Sequence, residues 1–213
     1  MHRLAALPGD GSPEEIELVE QPSAPVLFLT SATTDIATLA TSLSLDEENH
    51  WRGFIRALPL FALKHPAQID HYISTTAKDA QFIIIRLLGS RGHWSYGLDK
   101  FSSWSREKAR RRLVVVSGTN ENELELHSIG NVGLRITQIL SELLKAGGVD
   151  NMKKFLNLIS SIVKKSKYKL EEYLPKYFGD PQKWDWLDEE GIKVCVILYR
   201  SYYRQVILHL HKN

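Results

Sequence analysis

The residues best suited to chemistry lie in one short block, RLLGSRGHWSYGL, residues 86–98. Arg86, Arg91 and His93 can hold an anion, and Trp94 and Tyr96 offer flat faces against which a planar ligand would lie. The turn Gly89-Ser90-Arg91-Gly92 follows an apolar run and precedes a segment with helical spacing. Open α/β sheets bind ligands at such a turn, because backbone N–H groups and the helix dipole there favour negative charge. A plainer alternative stands beside it: the glycines permit a tight turn, and Trp94 and Tyr96 pack beneath the helix, as aromatic residues just after a strand usually do.

Other reactive residue types do not form a recognisable constellation. There is no G-x-x-x-x-G-K-[ST] phosphate loop and no H-E-x-x-H pair, so spacing assigns no metal ligands. His65 and His71 flank HPAQIDH, where a helix-entry contact and a surface residue are the simplest roles. Cys195 falls inside an apolar run and reads as packing. Asp99 and Glu107 do not suggest an acid/base pair, and no nucleophile–base set follows from spacing, so the catalytic residues are unknown. Arg110, Arg111 and Arg112 read as a solvated helix end, and the lysines of residues 164–169 read the same way.

The elements that must carry this block are legible. Residues 25–30 (PVLFLT), 81–88 (QFIIIRLL) and 112–117 (RLVVVS) are apolar runs without alternation, the pattern of parallel strands buried on both faces. Thr34-Asp35 is a plausible cap for the helix IATLATSL after the first run. Two more helical stretches are expected over 51–63 and 69–78, one over roughly 96–111, a polar loop over 118–127 and a helix over about 132–145. Gly147-Gly148 stops that helix, and Asp150 or Asn151 caps the next, MKKFLNLISSIVKKS. The fold expected is α/β, an open and mostly parallel sheet flanked by helices. Residues 1–148 form the amino-terminal α/β domain, 149–191 a helix and connector, and 192–213 the start of a truncated second domain. That last expectation rests on the strand-like run 193–199 (KVCVILY), which leaves too little chain for a further α/β unit.

Composition sets outer bounds. Lys+Arg 27 against Asp+Glu 25 gives a net charge of +2, which argues against nucleic acid or an anionic membrane as partner. One cysteine, no apolar secretory leader and no run of about 20 apolar residues point to a cytoplasmic, non-membrane protein.

Taken in order, several blocks resemble the large subunit of aerobic cobaltochelatase, the CobN family, itself related to the large subunit of magnesium chelatase. They are MHRLAALPG at the start, EQPSAPVLFLTSATTDIATLA, HPAQIDHY at 65–72, the block 86–98, His127-Ser128 and GGVDN at 147–151. The family's strand ending in Arg-Leu-Leu-Gly and its aromatic pair before Gly correspond to Arg86, Leu87, Leu88, Gly89, Trp94, Tyr96 and Gly97. Departures occur where Val116-Ser117-Gly118-Thr119 stands in place of Leu-Pro-Gly-Asp, and at Ser90 and His93, where the family commonly has Gly and Tyr. After Tyr203 the family continues with Ala-Gly-Asn-Thr. Residues 204–213 (RQVILHLHKN) abandon this, and a plausible codon set read one frame over restores it, so a frameshift is expected there and His209 and His211 carry no weight.

The resemblance implies an ATP-dependent ligase that inserts Co2+ into hydrogenobyrinic acid a,c-diamide during cobalamin biosynthesis. ATP would be handled by partner subunits of the ring-forming ATPase type, cobalt would be substrate, and this chain would bind no cofactor of its own. The corrin precursor would meet Arg86, Arg91, His93, Trp94 and Tyr96. As an amino-terminal fragment the chain would be inactive alone. The alternatives are a non-catalytic α/β module that binds a tetrapyrrole or docks onto chelatase components, and a fragment of the magnesium enzyme.

Overall fold

A computed structural model describes residues 17–47, 50–119 and 123–176. The expected strand at 193–199 and the suspected frameshift at 204–213 lie outside the described residues.

Three strands form where the non-alternating apolar runs are: β1 (Val26–Thr30), β3 (Phe82–Leu87) and β4 (Arg112–Ser117). Every residue of β1 and β3 is buried, as strands covered on both faces must be. A fourth strand, β2 (Ile55–Pro59), lies where the sequence suggested a helix over 51–63. Apolar residues at 54, 55, 57, 58, 60, 61 and 63 fit helical spacing nearly as well as a strand. Pairing decides in favour of the strand, since Ile55 to Pro59 run parallel to Val26 to Thr30 in register. Pro59 has no N–H to donate, which is tolerated because β2 is an edge strand.

All pairings are parallel, and the order is β2-β1-β3-β4. This is the expected α/β architecture. Helices α1 (Thr33–Ser44), α2 (Pro66–Ser74) and α3 (Ser95–Glu107) connect the strands. Then follow α4 (Glu123–Ile129), α5 (Leu134–Ala146) and α6 (Gly148–Val163). The polar loop expected over 118–127 therefore contains most of a short helix. Helix α3 stops earlier than expected because Lys108 turns extended, with φ −135° and ψ 127°.

Alternate strand residues divide the core into two layers. Leu27, Leu29, Ile83, Ile85, Leu113 and Val115 face Ile69 and Tyr72 of α2, Phe101 and Trp104 of α3, and Leu126 of α4. Val26, Phe28, Phe82, Ile84, Val114 and Val116 face Leu39 of α1, Leu140 and Leu143 of α5, and Phe155 and Ile159 of α6. Helices α1, α5 and α6 thus share one side, and α2, α3 and α4 the other.

Three capping and surface expectations are corrected by this packing. Helix α1 begins at Thr33, so Asp35 sits inside its first turn and is buried instead of capping it. Asn151 is likewise inside α6, where its amide group bonds the carbonyl oxygens of Gly147 and Lys176. Arg111 is not at a solvated helix end. Its buried guanidinium lies 4.6 Å from the Trp104 ring and donates to the carbonyls of Trp104 and Lys78 and to Glu107.

Candidate functional site at the strand ends

Chain direction changes sides between β1 and β3, because β1 leads to β2 on one flank while β3 lies on the other. The crevice beyond the carboxyl ends of two such strands is where open sheets hold ligands. Thr30 and Arg86 are register partners at those ends and lie on the α1 side of the sheet. Asp35, one turn into α1, reaches back to both. Its carboxylate accepts from Arg86 Nη1 at 2.6 and 2.7 Å and from Thr30 Oγ1 at 2.9 Å. Thr30 Oγ1 in turn accepts from the Ala32 N–H, so one hydroxyl orders the start of α1 as well.

Arg86 and Asp35 are 4% and 2% exposed, so the crevice is filled by an internal ion pair. Arg86 Nε has no hydrogen-bond partner among the described residues. The Lys145 ammonium on α5 is held below the usual lysine range, first by burial and then by the nearby positive charge of Arg86. Lys145 forms an ion pair with Glu123 of α4. One turn along from Glu123, His127 is buried with neither ring nitrogen bonded among the described residues, and burial pushes its imidazole below the usual histidine range.

The other sequence-selected residues separate from Arg86. Arg91 is exposed and donates to Asp99 at 2.7 Å. The ring of His93 closes over the turn: its Nδ1 accepts from the Ser90 N–H at 3.2 Å. Gly89 has φ +106°, and a Cβ there would stand 2.8 Å from that ring, so this position requires glycine on two counts. Trp94 is half-buried, donates from Nε1 to the Leu63 carbonyl and stacks on Phe101 with centroids 5.8 Å apart. The ring lies against Gly97, where a Cβ would come within 2.3 Å of it. Tyr96 does not pack beneath the helix; it is exposed, and its hydroxyl donates to Asp70 of α2. Lys100 also binds Asp70, and these two contacts hold that carboxyl below its ordinary range, Lys100 contributing more.

The block is therefore split in use. Arg86 and Trp94 are committed to the interior, and Arg91, His93 and Tyr96 form a polar rim at the strand ends. His65 and Gln68 make reciprocal caps at the start of α2, and His71 bonds Glu20. Sequence reasoning missed Asp35 as the partner of Arg86; the signal was its place just past the end of the neighbouring strand. No group of three or more metal-ligating side chains occurs among the described residues. No described helix is long and apolar enough to cross a membrane. A groove of about 400 Å3, lined by Ser42, Asp46, His50, Trp51, Lys153 and Lys164, opens at the far end of α1, away from the strand ends.

No family model matches the chain. It is 29% identical over 170 residues to the aerobic cobaltochelatase subunit CobN of a Sinorhizobium species. It is 25% identical over 162 residues to the subunit of that name from Pseudomonas aeruginosa. Both matches cover 76% of this chain, but only 12% and 13% of those subunits. Among solved structures, the catalytic subunit of cobaltochelatase from Mycobacterium tuberculosis is similar with a TM-score of 0.52 and 21% identity. That likeness covers 70% of this chain and 11% of the other, and it supports the fold.

Proposed function

We propose, for a chain related to the CobN subunit of aerobic cobaltochelatase, that it is a non-catalytic folded unit of such a large subunit. The observation that carries this reading is the sequence relation to two CobN subunits over 76% of the chain. The activity of the whole would be insertion of Co2+ into hydrogenobyrinic acid a,c-diamide, with ATP hydrolysed on partner subunits. The unit's share is structural: its most chemically capable group, Arg86, is neutralised by Asp35 in the interior. Cobalt is a substrate here, and its coordination would come from elsewhere in the assembly.

A second reading keeps a substrate contact at the rim. Arg91, His93 and Tyr96 are exposed together at the strand ends, and a corrin precursor bearing carboxylates would exchange with Asp99 for Arg91 and lie against the Tyr96 ring. Substitution of Arg91 and Tyr96 by Ala separates the two, since only the second reading expects a raised KM for the macrocycle.

The leading reading is tested by exchange. In the Pseudomonas aeruginosa subunit, the 162 matched residues are replaced by the corresponding part of this chain. Cobalt insertion is then followed by corrin absorbance with the partner subunits and ATP present. Insertion by the chimera and none by the chain alone is expected. A folded, assembled chimera that inserts no cobalt overturns the assignment.

A further inference from the structure

The parallel sheet brings three exposed apolar side chains to one edge. Phe61 follows β2, Leu88 follows β3 and Leu124 opens α4 after β4; they are 62%, 44% and 71% exposed. Because all four strands point the same way, these residues share the carboxyl edge of the sheet. Three strand spacings make that edge roughly 14 Å wide. Leu88 lies directly over Gly118 beyond β4, where a Cβ would meet its Cδ2 at 2.2 Å. On the other side, the Trp94–Leu63 hydrogen bond ties the segment after β2 to the segment after β3. The buried Asp35–Arg86 pair holds the middle of the edge from within. Apolar side chains scattered singly over a surface are ordinary, and it is the placing of three large ones along one braced edge that singles this edge out.

We infer that this carboxyl edge docks onto the remaining polypeptide of a CobN-type large subunit, an inference that rests on the functional reading above. The length of the relatives identifies the occupant. The chain spans 12% and 13% of them, so a unit of this size there is joined to several times its own mass of further protein. The surface also suits protein better than macrocycle. Its crevice is closed by the ion pair, and the described groove is at the opposite edge. Exposed Lys64 follows Phe61, while Arg91, beyond Leu88, is already paired with Asp99, so the complementary surface is chiefly apolar.

The test uses the intact Pseudomonas aeruginosa subunit carrying benzoylphenylalanine at the position aligned with Phe61, Leu88 or Leu124. The control position is the one aligned with Leu45, which is 55% exposed at the opposite edge. Irradiation and peptide mass spectrometry are expected to join the first three to residues outside the matched segment, in several-fold higher yield than the control. Crosslinks confined to the matched segment, equal yield from the control position, or no crosslinks overturn the inference. A cobalt-inserting chimera combined with any of those outcomes would remove this surface and leave the subunit assignment intact.

Discussion

Two side chains dominate the strand ends, and their energetics are lopsided. A buried carboxylate and guanidinium stabilise little as a pair, because desolvation offsets most of their attraction. Removing one partner strands the other charge in the interior. Asp35→Asn is therefore expected to cost about 3–5 kcal/mol in urea denaturation, as broken buried pairs do. The double variant Asp35→Leu with Arg86→Met recovers most of that loss. A single variant within the error of wild type would show that water reaches Arg86. His127 gives a residue-scale prediction of a different kind. Burial lowers its pKa in the folded chain, while the unfolded chain takes up the proton at about pH 6.5. Below that pH the unfolded state binds more protons, so stability is complete above it, falls on acidification and levels off beneath the folded pKa. The fall between pH 7 and 5 is expected to shrink in His127→Gln. Arg86 was visible in the sequence as a cation at a strand end. Its use was not, because the carboxylate that cancels it lies 51 positions away and meets it only when β1 and β3 pair.

At the scale of elements, local pattern carried three of the four strands and failed at β2. Strands β1, β3 and β4 advertise themselves because burial on both faces leaves at least four consecutive apolar or nearly apolar positions, with polar residues only toward the strand ends. Strand β2 is half-buried and ends in Pro59, so its spacing was compatible with a helix until a neighbour supplied hydrogen bonds. Helix α4 was hidden for the opposite reason, having two buried side chains in seven residues. The turn after β3 was legible as a turn, but the reason for its residues is tertiary. Trp94 is pinned by the Leu63 carbonyl above and Phe101 alongside, and it fills the space a side chain at Gly97 would need. Gly97→Ala must displace that ring or the start of α3. The expected loss is roughly 1–3 kcal/mol, the usual range for overpacking. Gly92→Ala, which meets only the Ser90 hydroxyl at 3.8 Å, is expected to stay within about 0.5 kcal/mol. Thermal melts of the two variants, with tryptophan fluorescence as readout, distinguish this from a general sensitivity of the turn.

The whole described unit is one sheet with a hydrophobic layer on each side, and neither layer can persist without the sheet between them. Phe155 of α6 is fully buried against Phe28 of β1, with ring centroids 5.5 Å apart. On the opposite side, Trp104 of α3 is equally buried and bonds the Ala77 carbonyl. Truncating Phe155 to Ala removes a large side chain and leaves a cavity, at an expected cost of about 3–5 kcal/mol. Because Phe28 belongs to a central strand whose other neighbours face Trp104, that loss must reach both layers. In Phe155→Ala, backbone circular dichroism and the tryptophan signal are therefore expected to move together to lower denaturant in a single transition. Two separated transitions in a chain that keeps Trp104 as its one tryptophan, with that signal at its wild-type midpoint, would mean that the α5–α6 layer folds as an independent unit. The carboxyl edge, which both layers flank, would then have no single frame behind it, and docking there would have to be argued for each layer separately.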